Sequence, residues 1–119
     1  MTEQHQLTIT TRGRGSIEIT GEIAALVKHA AVNAGIAHIF LRHTSCGLAI
    51  TENADPTVRR DLEGDDDMAT HARSLLTGCS LNVPFNAGCL RLGTWQGIYL
   101  FEHRTQSHQR EIVVTLLGD

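Results

Sequence analysis

Residues 79–102 read CSLNVPFNAGCLRLGTWQGIYLFE, and this stretch decides the fold. From Cys79 to Phe85 apolar and polar side chains alternate, the period-two signature of a strand with one buried face. Asn86-Ala87-Gly88 supplies turn residues, Leu90 to Leu92 returns, and Gln96 to Glu102 is a further strand. A run of short strands joined by turns buries its apolar faces only by curling against other elements, so a meander closing part of a barrel is expected. Outward from it, Glu111 to Leu117 predicts the last strand, and Ile36 to His43 an earlier one. After His43 comes the break Thr44-Ser45-Cys46-Gly47 and a second apolar run, Leu48 to Ile50. At the start of the chain Leu7 and Ile9 alternate with Thr8 and Thr10. Gly13 and Gly15 then punctuate, and Ser16 to Ile19 is predicted to fold back as the second arm of a hairpin.

Three stretches carry helical spacing. Thr20 is the expected N-cap of the first, with Glu22 in its opening turn, Ile23, Leu26, Val27 and Ala30 on one face, and Gly35 as its stop. Asp55-Pro56 starts a short exposed helix to Leu62, because proline is preorganised for the first helical position. A third begins at Asp65-Asp66-Asp67, carries Met68, Ala72, Leu75 and Leu76, and ends at Gly78. The expected class is α+β: a single domain over residues 1–119, with a mixed, mostly antiparallel barrel-like sheet and two or three helices.

Composition removes several functions. The chain has 119 residues, a formal charge of -3 and no long Lys/Arg cluster, so a nucleic-acid partner is not expected. No apolar run approaches the ~18 residues of a membrane span, and MTEQHQLTIT is too polar for a signal peptide. Three cysteines without a C-x-x-C pattern predict free thiols and a cytoplasmic location. Aromatics are 4%, so the core must be aliphatic, while the seven histidines need their own account.

Polar side chains at the ends of apolar rows are the candidates for chemistry. His43 follows Ala37, Ile39 and Leu41 on one strand face, where it either bonds backbone at the core's edge or serves as a ligand or proton carrier. Glu52 continues the face of Leu48 and Ile50, and Glu102 that of Ile98 and Leu100. A carboxylate so placed must be paired or functional, because burying it alone is costly. Asp67 and His71 stand four apart on a predicted helix, a spacing that suits chelation of a divalent cation. Arg110 lies across a presumed turn from Glu102, available to phosphate or to that acid. Gly93-Thr94-Trp95-Gln96-Gly97 holds the sole tryptophan between glycines that allow close backbone approach. Cys46 is either a nucleophile or a small buried side chain, and Cys79 and Cys89 are not expected to face each other.

His43-Thr44-Ser45-Cys46-Gly47, Glu52-Asn53-Ala54-Asp55-Pro56, Glu63-Gly64 with Asp67 and His71, the block from Ser80 to Gly93-Thr94-Trp95-Gln96-Gly97-Ile98, and Glu102-His103-Arg104 occur in an order that resembles the YjbQ-like family of small bacterial and archaeal proteins. The resemblance covers nearly the whole chain. It implies a homotrimer, a His- and acid-rich site compatible with a divalent metal (Mg- or Zn-like), and a weak, secondary thiamine-phosphate synthase activity. On that basis His43, His71, Glu102 and Arg110 are the expected catalytic residues, and His43, Glu52, Asp67 and His71 the expected metal ligands. The expected partner is a small phosphorylated metabolite. Family members carry a longer segment, with another histidine, where this chain runs from Asp61-Leu62 straight into Glu63-Gly64. Two alternatives share the same site: a metal-dependent hydrolase or lyase on another small metabolite, and a non-catalytic trimer that binds a metal or ligand.

Overall fold

The computed structural model describes residues 1–52 and 78–119. Eight strands and one helix follow in the order β1 (Thr2–Arg12), β2 (Gly15–Glu18), α1 (Thr20–Lys28), β3 (Ala34–Leu41), β4 (Cys46–Glu52), β5 (Ser80–Asn86), β6 (Cys89–Leu90), β7 (Gln96–Glu102) and β8 (Ser107–Gly118). They form a five-stranded sheet, β1-β8-β3-β5-β6, and a three-stranded sheet, β2-β7-β4. Every pairing among the described residues is antiparallel, so the expected mixed sheet is not seen there. The two sheets share one aliphatic core, whose members include Ile19, Ile39, Leu48, Ile98, Leu100, Ile112 and Leu116.

Among the described residues α1 is the one helix; the two others predicted, Pro56 to Leu62 and Asp65 to Gly78, fall almost wholly outside them. α1 buries Ile23 and Val27 and ends at Lys28, with His29 as its C-cap, well before Gly35. Gly35 is a strand residue whose register partner on β8 is Gly118. A Cβ on Gly35 would land on the carbonyl oxygen of Leu117, and one on Gly118 on that of Ala34. The need at Gly35 is room for a crossing backbone, not a helix stop. Thr20 also differs from expectation. Ile19 occupies the N-cap, and the Thr20 hydroxyl donates to Glu18 Oε2 at 2.9 Å while accepting the Ile98 N–H at 2.8 Å. Thr20 therefore extends the β2–β7 ladder by one hydrogen bond and leaves the helix end without a side-chain cap.

The predicted β1–β2 hairpin does not form. β1 pairs with β8 through eleven register partners from Thr2↔Leu117 to Arg12↔Ser107, and β2 pairs with β7. Gly13 and Gly15, both at positive φ, hand the chain from one sheet to the other. The β5–β6 turn does follow the sequence. Asn86 pairs with Cys89, and Ala87 (φ 53°) and Gly88 (φ 78°) take the two left-handed positions of a tight hairpin. Cys79 precedes β5, so Cys79 and Cys89 do not face each other.

Candidate functional site

Four inward-facing rows of side chains end together at one end of the core, and each ends in a polar group. On β8 the row Leu116, Val114, Ile112 ends at Arg110; on β1, Ile9 ends at Thr11. On β7, Ile98 and Leu100 end at Glu102, and beyond β3 the row Ala37, Ile39, Leu41 ends at His43. Register brings these ends together, since Ile9 is opposite Arg110, Thr11 opposite His108, Leu41 opposite Ile112, and Cys46 opposite Glu102. Arg110 lies within β8, which starts four residues earlier than the predicted Glu111 and so takes in part of the expected turn between Glu102 and Arg110.

Thr11, Glu102 and Arg110 are 0%, 1% and 3% exposed, so an ion pair and its hydroxyl partner sit inside the protein. Arg110 Nε donates to Glu102 Oε1 at 2.8 Å and Nη2 to Oε2 at 2.7 Å, the parallel fork that suits a guanidinium and a carboxylate. Thr11 Oγ1 donates to Oε1 at 2.6 Å, and the Arg104 backbone N–H to Oε2 at 3.1 Å. Arg110 Nη2 also donates to Ser45 Oγ at 2.8 Å. Burial alone pushes the Glu102 carboxyl upward, but the hydrogen bonds from Arg110, Thr11 and the Arg104 N–H outweigh it and hold the group below its ordinary value. The Glu102 hydrogen bonds raise Arg110 correspondingly. Both groups are charged at neutral pH and offset each other.

His43 is half-buried beside this pair. Its Nε2 accepts the Glu111 backbone N–H at 3.0 Å, and its Nδ1 lies 3.5 Å from Arg110 Nη1. Burial lowers the imidazole's affinity for a proton, and the Arg110 charge lowers it further, so the ring is neutral at physiological pH. Above the pair opens a hollow of about 310 Å³ lined by Ser45, Arg104, Thr105, Gln106 and His108. His108 Nδ1 donates to the Gln106 carbonyl at 2.9 Å, so in the neutral ring Nε2 is the lone-pair nitrogen.

Of the residues predicted from sequence, the structure joins His43, Glu102 and Arg110. It does not bring Glu52 to them. Glu52 is exposed at the far end of β4 opposite Gln96, six residues and roughly 20 Å from the Cys46–Glu102 end. Asp67 and His71 lie outside the described residues. The described residues also lack a donor set for a divalent ion. No group of three or more His, Cys, Asp or Glu could hold one among them. The Glu102 oxygens and His43 Nε2 already accept hydrogen bonds. Within the described residues His43 is held by the Glu111 backbone N–H and lies beside Arg110; the expected ligands Asp67 and His71 lie outside them.

Thr11, Ser45 and His108 escaped the sequence analysis. Thr11 carried a usable signal, because it continues the alternate-residue face of Leu7 and Ile9. Cys46 is buried, and burial pushes its thiol up to about 12, whereas Cys79 and Cys89 are exposed. Iodoacetamide at pH 8 is expected to alkylate Cys79 and Cys89 and to spare Cys46 until the chain unfolds, as read by peptide mass spectrometry. Rapid labelling of Cys46 in the folded protein would restore it as a nucleophile.

The family model described as UPF0047 protein YjbQ-like matches residues 5–65 and 63–119. Its two segments meet where the chain runs directly from Leu62 into Glu63-Gly64. The UPF0047 protein sll1880 of Synechocystis is 42% identical over 137 residues, covering 98% of this chain and 93% of that relative. UPF0047 protein YjbQ of Escherichia coli is 39% identical over 135 residues, covering 98% of each. Among solved structures, a conserved hypothetical protein of Thermus thermophilus superposes with a TM-score of 0.80 at 33% identity, covering 95% of this chain and 99% of that one.

Proposed function

The chain belongs to the UPF0047 YjbQ-like family, and from that premise we propose that it binds a small phosphorylated metabolite in the polar hollow over the Arg110–Glu102 pair, with a weak thiamine-phosphate synthase activity. In that reaction a thiazole ring nitrogen attacks the exocyclic methylene carbon of a pyrimidine, and the carbon–oxygen bond to pyrophosphate breaks. The attacking nitrogen carries no proton, so no general base is required. What is required is a set of donors to receive charge on the departing oxygens.

One observation supports this reading: among the described residues the buried cluster carries a guanidinium, and the acceptors Glu102 and His43 Nε2 are already engaged. Glu102 accepts four hydrogen bonds and His43 Nε2 is held by the Glu111 N–H. Arg104 and His108 line the hollow and would meet the outer phosphate oxygens. Because Glu102 offsets the Arg110 charge, the site stabilises an anion by oriented dipoles more than by net charge, which suits a slow side reaction. Asp67 and His71 remain the proposed holders of a divalent ion, and no step here is routed through one. The exposed Ile36, Phe40 and Leu117 on the outer face of the larger sheet support the proposed homotrimer. Among the described residues no helix is long and apolar enough to cross a membrane, and a cytoplasmic location is proposed with the rest.

A lyase or hydrolase is the second reading, favoured by His108, whose Nε2 can accept a proton at the hollow. Incubating the protein with the pyrimidine diphosphate and the thiazole phosphate separates the two. Slow formation of thiamine phosphate, with pyrophosphate released in equal amount, is expected, and His108→Gln should keep at least half the rate. Absence of product from the wild-type protein would remove the synthase activity. A rate abolished by His108→Gln would favour proton abstraction.

A further inference from the structure

The two sides of the hollow hang on opposite members of the buried ion pair. On one side Glu102 Oε2 accepts the Arg104 backbone N–H at 3.1 Å. The His108 backbone N–H donates to Thr11 Oγ1 at 3.2 Å, and that hydroxyl donates in turn to Glu102. These bonds fix the segment from Arg104 to His108. On the other side Arg110 Nη2 donates to Ser45 Oγ at 2.8 Å, and the Ser45 carbonyl accepts the His103 N–H at 3.3 Å. Among the described residues Ser45 is the one side chain that both lines the hollow and hydrogen-bonds to the ion pair. A guanidinium has donors only, so Ser45 Oγ is the acceptor in that bond and keeps its own proton to give. No acceptor among the described residues takes that proton.

We propose that Ser45 is the contact through which the hollow grips a phosphate monoester, its hydroxyl donating to one phosphate oxygen while its own oxygen stays bonded to Arg110. The proposal rests on the functional reading above and adds the residue that joins the ligand to the buried pair. A hydroxyl whose oxygen accepts from a guanidinium is polarised, so its O–H is a stronger donor than that of an isolated serine. The ligand thereby feels the Arg110 charge although Arg110 does not itself line the hollow. The lining side chains include the Arg104 guanidinium and no carboxylate, which suits an anion. None of them is aliphatic or aromatic, so what they hold of a ligand is its phosphate and not a ring. Donors on two sides suit the diverging oxygens of a tetrahedral phosphate better than the coplanar pair of a carboxylate.

Methyl phosphate is the probe, with acetate as its carboxylate counterpart. Ser45→Ala removes the hydroxyl and Ser45→Thr keeps one. Affinity for methyl phosphate should fall about tenfold in Ser45→Ala and recover most of that loss in Ser45→Thr. The Arg110 Nε–H signal in nitrogen-15 NMR separates a ligand contact from a mere support. In the wild-type protein saturating methyl phosphate should shift it, because the ligand alters the bond between Ser45 and Arg110. In Ser45→Ala the same saturation should leave it in place. Arg104→Gln should weaken binding through its lost charge and keep the shift at saturation. A serine that only supports Arg110 would lower the melting temperature of Ser45→Ala and leave methyl phosphate affinity at the wild-type value, and that result would overturn the proposal. So would a wild-type protein that binds acetate as tightly as methyl phosphate, or that binds neither. If thiamine phosphate is formed while Ser45→Ala binds methyl phosphate as well as wild type, Ser45 loses this role and the enzyme reading stands. If methyl phosphate binds through Ser45 but no thiamine phosphate forms, the reverse holds.

Discussion

Replacing Glu102 by alanine is expected to cost about 3–5 kcal/mol of stability, lowering the melting temperature by roughly 12–20 °C. The loss comes from Arg110, not from the carboxylate removed. Arg110 would stay buried with two of its nitrogens stripped of their partner, and Thr11 Oγ1 and the Arg104 N–H would lose their acceptor. A second variant isolates the cause. Glu102→Leu combined with Arg110→Met fills similar volume without charge and should recover most of the loss, because a buried pair replaced whole by apolar groups is close to neutral. Urea denaturation of the single and double variants reads both terms. A loss below 1 kcal/mol in Glu102→Ala would mean that water reaches the pair.

The same pair makes stability depend on acid, in a direction that can be worked out. The folded-state affinity of Glu102 for a proton lies below its ordinary value of 4.5, so its contribution is complete above that value. It is lost as pH falls through the lower, folded value. His43 acts earlier. Its folded affinity lies below the ordinary 6.5, so under that pH the unfolded chain takes up a proton that the folded ring refuses. Stability should therefore begin to fall below pH 6.5 and fall again below about 4.5. In His43→Gln the first decline should shrink.

Gly35→Ala is the second large effect, with an expected cost of about 3 kcal/mol. The new methyl meets the Leu117 carbonyl, which is backbone and cannot rotate aside. The least costly relief is to peel the end of β8 away, breaking Gly118 N–H to Met1 O and Asp119 N–H to Ala34 O. Amide hydrogen exchange at residues 116–119 should then accelerate much more than at Ile112 or Val114. Gly21→Ala is the control. Gly21 lies in α1 with nothing within 4 Å of an added Cβ, so that change should be neutral or stabilising by up to about 1 kcal/mol.

Gly35 also shows why parts of the fold were legible in the sequence and others were not. Alternation is a local signal, and it located β1, β3, β5, β7 and β8 to within a few residues. Partner choice is not local. Gly13 and Gly15 look the same whether the chain reverses on itself or crosses to another sheet, and the β1–β8 register is visible only when residues a hundred positions apart are compared. A glycine after an amphipathic helix is ambiguous in the same way, since a stop and a close backbone approach both require it. The site was more readable. A polar residue ending an apolar row is a local anomaly, which is why His43 and Glu102 stood out, whereas Arg110 was visible only as a cation across a turn from Glu102. That they converge was supplied by strand register, as was the separation of Glu52, which shares their pattern at the opposite end of β4.

The ladder from Thr2↔Leu117 to Arg12↔Ser107 bears on how the protein comes into being. On the ribosome β1 is made about a hundred residues before its partner β8, which at ordinary elongation rates is a wait of about 5–20 s. β7 is made only just before β8, so through most of that wait β1, β2 and β4 all lack their strand partners. The β1 sequence, Thr-Glu-Gln-His-Gln-Leu-Thr-Ile-Thr-Thr-Arg, is polar enough to stay solvated in the meantime. The strand at the edge of the larger sheet is thus also polar enough to remain unpaired until β8 has been made.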